Sequence, residues 1–201
     1  MLKYHFSINM DLFWQDLVSR IVQLGHDRDQ VVHGSMPEKT LSRLSSILSG
    51  NGLQIGGFVG VSHCYLAASL RGKGSICTID PNLTHRGIQN PFLVASKMAS
   101  EFKLSKNSML ICGYSLEQMR LFAVMGVKFD FIILDGNHDF QTVIDEIECA
   151  TPILKSGGYL VLDDIDNWDG PKKVYNSVPA GYNRVELDSR AGLLQKMEKM
   201  G

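Results

Sequence analysis

Apolar residues fall along the chain in two alternating patterns. Continuous apolar runs at 131–134 and 159–162 have the length and composition of strands buried on both faces, and 53–56, 75–79 and 108–112 read as three further strands. Between them, apolar positions recur at helical spacing, as Tyr65, Leu66 and Leu70, then Leu93, Val94, Met98 and Phe102, then Leu116, Met119, Leu121 and Phe122, then Val143, Ile144 and Ile147. Turn and cap signals punctuate the runs. Asn90-Pro91 opens one helix, Ser115 with Gln118 reads as a capping box, Asp139 caps another start, and Gly157-Gly158 closes the connection back to the sheet. Strand and helix in strict alternation predict parallel β-α-β units.

The two ends of the chain depart from this alternation. From Met10, the positions Phe13, Trp14, Leu17, Val18, Ile21 and Leu24 give an amphipathic helix ending near Gly25, with Trp14 packed between this segment and the rest. A charged loop, GHDRDQ, follows. Ser35 and Glu38 fit a capping box with Pro37 inside the first turn, and Leu41, Leu44, Ile47 and Leu48 form the stripe of a second helix. After Asp164, residues 171–178 hold only a short helix, and 182–187 and 193–196 form two strands joined so closely that they must be antiparallel. Residues 197–201 read as a frayed tail. The prediction is a Rossmann-like α/β three-layer sandwich whose seven-stranded sheet has five parallel strands and a terminal antiparallel pair. A helical cap at 1–50 and a body at 53–196 form a single domain, 1–201.

Composition narrows the function classes. The 201 residues, 44% hydrophobic, suffice for one substantial core, and a net charge of −1 gives no general attraction to nucleic acid or anionic lipid. Cys64, Cys77, Cys112 and Cys149 form no C-x-x-C pair and read as reduced, packed thiols. The opening residues lack a continuous signal-peptide core and no run reaches membrane-spanning length, so a soluble cytoplasmic protein is expected. The expected partner is a small molecule, with a homodimer left open.

Candidate chemistry gathers at one edge. A right-handed crossover between the strands at 131–134 and 159–162 delivers Asp135 and the Asp163-Asp164 pair to the carboxyl edge of the sheet, where open α/β sheets bind their ligands. The glycine turn Gly56, Gly57, Gly60 leads from the first body strand into a helix start with free N–H groups, and Asp80 closes the next strand, where a carboxylate can accept from both ribose hydroxyls. That order suggests a nucleoside ligand, although an ordinary tight β-α turn explains the glycines equally well. The spacing is not the G-x-G-x-x-G of a dinucleotide site. Three carboxylates with no soft ligand nearby suit Mg²⁺ or Ca²⁺, while acids at strand ends also serve as helix caps. His138 has the proton affinity of a general base near neutral pH, or it braces its loop. His33 and His63 are weaker candidates, and Trp168 either walls the pocket or docks on the body.

Taken in order, these motifs resemble the class I S-adenosylmethionine-dependent methyltransferases over roughly 53–196. LQIGGFVGVS is similar to their first cofactor motif, Asp80 to the ribose-binding acid and Gly113-Tyr114-Ser115 to the segment beside the adenine. Asp135 to Phe140, DGNHDF, is similar to the DG-x-H-x-Y signature of a small bacterial catechol O-methyltransferase-like group. The resemblance implies that Gly56, Gly57, Gly60, Ser62, Asp80, Gly113, Tyr114, Ser115 and Asp135 bind S-adenosylmethionine. It implies a metal held by Asp135, Asp163 and Asp164, with His138 and Asp135 as the catalytic residues. The implied function is metal-assisted O-methylation of a small molecule. Three positions depart from the pattern, with Gln54 where relatives carry Glu or Asp, Tyr114 where an acid is frequent and Phe140 where Tyr is usual. The alternatives are a non-catalytic S-adenosylmethionine- or nucleoside-binding module on the same fold, and an enzyme using a nicotinamide cofactor, against which the glycine spacing argues.

Overall fold

A computed structural model describes residues 8–185 and 187–198, so residues 1–7 of the cap, Glu186 in the sixth predicted strand and residues 199–201 of the tail lie outside it. In the cap, Asn9 accepts a hydrogen bond from the Asp11 N–H at 3.1 Å and so starts helix α1, Met10–Gln23. Its apolar stripe is buried, the Phe13 ring meeting those of Tyr65 and Phe102. Trp14 donates its indole N–H to the Met36 carbonyl at 3.0 Å, which fixes the next segment against the body.

Where the sequence predicts a charged loop, Asp27 caps a short helix, α2, Arg28–His33. Only Val31 of α2 is buried, so no apolar period announces it. Helix α3, Glu38–Ile47, begins after Pro37 and not at a Ser35 capping box. Pro37 is itself extended and disfavours the helical region for Met36, so the helix has no room to begin earlier.

The body follows the predicted alternation as β1 Gly50–Ile55, α4 Val61–Ser69, β2 Gly74–Asp80, α5 Pro91–Glu101, β3 Ser108–Cys112, α6 Ser115–Val124, β4 Phe129–Leu134, α7 Phe140–Ile153 and β5 Leu154–Leu162. Helix α8, Asp169–Ser177, then leads to β6 Tyr182–Val185 and β7 Gly192–Lys196. The sheet order is β3-β2-β1-β4-β5-β7-β6, parallel except for β7, which runs against both of its neighbours. Strand β1 starts three residues before the predicted run because Gly50, Asn51 and Gly52 pair with β2 despite having no apolar signal. Asp139 caps α7 as expected, accepting from the Thr142 N–H. Gly157-Gly158, expected in the connection, instead lies inside β5, where the pairing with β4 is irregular.

Two apolar layers sandwich the sheet. Residues of α1, α3, α4 and α5 pack on one face and those of α6, α7 and α8 on the other. Among the described residues, no helix is long and apolar enough to cross a membrane.

Candidate active site

The carboxyl ends of β1, β2, β4 and β5 carry the residues singled out above. Gly56 has a left-handed backbone (φ 84°), and a Cβ built there would overlap the carbonyl oxygen of Asp135. The glycine turn therefore lies in direct contact with the start of the Asp135–His138 loop, and packing alone requires its first glycine. Gly60 is likewise left-handed, and a Cβ there would collide with Ala95 of α5.

Asp80 holds this turn in place. Its Oδ2 accepts from the N–H groups of Gly57 and Phe58, both at 2.9 Å, and its Oδ1 accepts from Asn82 at 2.7 Å. With two lone pairs per oxygen, only Oδ1 keeps a site for a ligand hydroxyl. The expectation that Asp80 grips two ribose hydroxyls is thus narrowed to one ordinary contact. Behind the turn, Gln54 is fully buried and donates to the Gly56 carbonyl at 2.7 Å and the Ser62 hydroxyl at 2.6 Å. Thr78 and His63 continue this network at 2.7 Å, and burial lowers the His63 pKa to about 4, so the imidazole is neutral. Gln54, Ser62 and His63 are hence internal braces of the turn, and Ser62 is not presented as a ligand contact.

Next along the edge, Gly113 donates its N–H to the Asp80 carbonyl at 3.0 Å, and the exposed Tyr114 stands at the start of α6. Ser115 is the first residue of that helix and not its cap. Its hydroxyl donates at 2.7 Å to Oε1 of Glu146, which lies on the buried face of α7 with Oε2 unpartnered among the described residues. Burial pushes the Glu146 pKa up to about 7, against the smaller opposing effect of Ser115. An acid within the apolar stripe Val143, Glu146, Ile147, Ala150 is the signal that marks it in the sequence.

The acidic cluster differs from the expected one. Asp163 is fully buried, and Arg190 clamps it bidentately, Nε to Oδ1 at 3.2 Å and Nη2 to Oδ2 at 2.9 Å. The same Nη2 reaches Oδ1 of Asp164 at 3.0 Å. Asp163 is therefore committed to Arg190, and the three potential ligand atoms that do converge, within 4.8 Å of one another, belong to Asp135, His138 and Asp164. Burial, then the charges of Asp163 and Asp164, then a carboxyl-to-carboxyl hydrogen bond with Asp163 push Asp135 well above the usual carboxylate range, with Arg190 opposing.

His138 Nε2 lies 3.3 Å from Oδ2 of Asp164, off the line of a hydrogen bond, and its ring stacks on Trp168 at 5.4 Å between centroids and 13° between planes. Gly170 makes this stack possible, since a Cβ there would overlap the His138 carbonyl and force α8 away. Burial lowers the His138 pKa and Arg190 adds to that, outweighing the attraction of Asp164 and Asp163. His85, on the loop after β2, also acts on this pocket electrostatically and packs edge-on against Phe58. His33 instead turns back to its own helix, binding the Asp29 carbonyl at 2.8 Å. Arg190 escaped the sequence reading because residues 188–192 read there only as a turn. The β5–β7 register pairs Leu162 with Gly192, so two further steps set Asp164 opposite Arg190.

A concavity of about 860 Å³ lies at the other, amino edge, beside Lys128, Lys155 and Lys196. Lys128 and Lys196 donate to backbone carbonyls at the end of α7 and the start of β5, and Lys155 pairs with Asp130, so it is no anion site and holds none of the chemistry above.

Comparison with known proteins bears on the fold. No curated protein matches the chain. The fold is shared with an O-methyltransferase from Bacillus cereus in complex with SAH (TM-score 0.69, 15% identity, 91% of each chain covered). It is shared too with the O-methyltransferase TomG from Streptomyces achromogenes, involved in tomaymycin synthesis and in complex with SAM (TM-score 0.67, 15% identity, 98% of this chain and 100% of the other). A third is the SAH-bound methyltransferase PaMTH1 of Podospora anserina (TM-score 0.67, 12% identity, 94% and 88%). A family profile described as a methyltransferase domain matches residues 53–165, from the middle of β1 to just past the Asp163-Asp164 pair. That match spans more than half of the chain and contains the glycine turn, Asp80 and the Asp135–His138 loop, and by it this protein belongs to the methyltransferase-domain family.

Proposed function

We propose that this protein transfers the methyl group of S-adenosylmethionine to an oxygen of a small molecule. The observation that carries this reading is the contact between Gly56 and the Asp135 carbonyl. A nucleoside on the glycine turn, with a ribose hydroxyl on Asp80 and its base beside Gly113, Tyr114 and Ser115, would have its sulfonium end directed at Asp135 and His138. The SAM- and SAH-bound relatives of the same fold support that choice of cofactor.

His138 suits the base. Its lowered pKa keeps the imidazole neutral near pH 7, and Trp168 fixes its plane. The acceptor hydroxyl gives its proton to the His138 imidazole while its oxygen forms a bond to the methyl carbon. The carbon–sulfur bond breaks, and its electron pair stays on sulfur to leave the neutral thioether. Positioning supplies most of the acceleration, because the sulfonium is already an activated donor.

The metal assistance expected from the sequence does not fit these residues. Asp163 is taken by Arg190, and the remaining set of Asp135, His138 and Asp164 would turn the base into a ligand.

Calorimetry with S-adenosylhomocysteine tests the reading. Wild type binds it, and Asp80→Ala weakens binding by about 1–3 kcal/mol. Absence of binding by wild type, or equal binding by the variant, overturns the proposal.

A further inference from the structure

The cluster at the end of β5 already contains a cation. Arg190 has five N–H donors, of which one on Nε and one on Nη2 are directed at Asp163, and Nη2 also lies 3.0 Å from Oδ1 of Asp164. Among the described residues its Nη1 has no protein partner, and it is not one of the buried unpartnered atoms, so it reaches solvent. The guanidinium side chain is 23% exposed. Backbone geometry holds it there, because Ile165 donates to the Arg190 carbonyl at 2.8 Å and Asp188 Oδ1 accepts from the N–H groups of Arg190 and Ala191 at 3.0 and 2.8 Å. Three acids and one imidazole would otherwise be a strong invitation to a divalent ion. With Arg190 in place, the two carboxylates at the strand end already have a cation beside them.

We infer that Arg190 is the resident cation of the acceptor site, that it excludes a divalent metal, and that its outward Nη1 pair receives the ionising oxygen of the acceptor. This rests on the methyl-transfer reading for the identity of the acceptor, whereas the exclusion of metal stands on Arg190 alone. A guanidinium suits the task because its planar fork can face two carboxylates on one edge and an oxyanion on another, with its charge present at every working pH. The acceptor oxygen would ionise by losing its proton to His138 while Nη1 stabilises the resulting charge, the part a metal plays elsewhere.

Two measurements on the full chain decide this. Mn²⁺ titrated calorimetrically to about 1 mM should give no binding to wild type, whereas Arg190→Met, which frees Asp163 and Asp164, should gain binding by tenfold or more. Arg190→Lys, which keeps the charge, should stay metal-free. Micromolar Mn²⁺ binding by wild type overturns the inference whether or not either variant folds, as does an Arg190→Met protein that folds and gains nothing. For the acceptor, 4-nitrophenol reports its own ionisation by visible absorption. Bound to wild type with S-adenosylhomocysteine, it should ionise at lower pH than when free, and Arg190→Met should abolish the shift. Failure to bind, or an unchanged ionisation, removes the acceptor assignment. Failure of S-adenosylhomocysteine itself to bind strikes instead at the methyl-transfer reading, and the Mn²⁺ result stands apart from both.

Discussion

His138 shows how one side chain acquires a chemical role from its neighbours. The groups facing it are Asp164 and Asp163 on the loop after β5, Arg190 on the β6–β7 turn and His85 on the loop after β2. Burial is the dominant influence and lowers its pKa from the ordinary 6.5, so the basic form prevails to lower pH than in free histidine. The wild-type rate should therefore rise with pH along an acid limb lying below that value. His138→Gln should remove the limb and reduce turnover by roughly 10²–10⁴ while leaving S-adenosylhomocysteine affinity intact. If His138 only braces its loop, the substitution would weaken the cofactor along with turnover and leave the pH profile unchanged. Calorimetry and a pH–rate profile on the one variant separate the two outcomes.

At the scale of elements, the glycine turn joins β1 to α4 and also presses on the end of β4. Substituting Gly56 strains a left-handed backbone and pushes a methyl group into the Asp135 carbonyl. Gly56→Ala should cost about 2–4 kcal/mol of stability and abolish S-adenosylhomocysteine binding, because the turn cannot keep both its place on Asp135 and its hydrogen bonds to Asp80. Denaturant unfolding checks the first effect and calorimetry the second. A variant as stable as wild type would show that the turn has slack this packing does not allow. The pattern Gly56, Gly57, Gly60 marked this turn in the sequence. It did not reveal that Gln54 and Ser62 brace the turn from behind, because that pairing depends on which faces of β1 and α4 meet.

On the scale of the whole molecule, Glu146 links pH to stability. Its folded pKa of about 7 lies above its ordinary 4.5, so the stabilisation from the neutral acid is complete below 4.5 and is lost as the pH rises through 7. Glu146→Gln keeps an acceptor for Ser115 and cannot ionise. Wild type should lose on the order of 3 kcal/mol relative to the variant between about pH 4.5 and pH 8, a melting-temperature gap of roughly 5–10 °C that opens toward high pH. Melting curves that stay parallel across this range would mean that Glu146 ionises without penalty, through water reaching Oε2.

The alternation of apolar runs and helical periods determined the parallel strands, the helices between them and the carboxyl edge that bears Asp80, Asp135, Asp163 and Asp164, since burial on two faces or on one stripe leaves its mark locally. Residues 26–33 and 50–52 were illegible because a mostly polar helix and a glycine-rich strand carry no such mark. Partners distant in sequence were decided by tertiary structure alone. The antiparallel return of β7 brings Arg190 to Asp163 and Asp164, and the packing of α6 on α7 brings Ser115 to Glu146. Which carboxylates remain available is a matter of charge pairing across those contacts, and no local pattern encodes it.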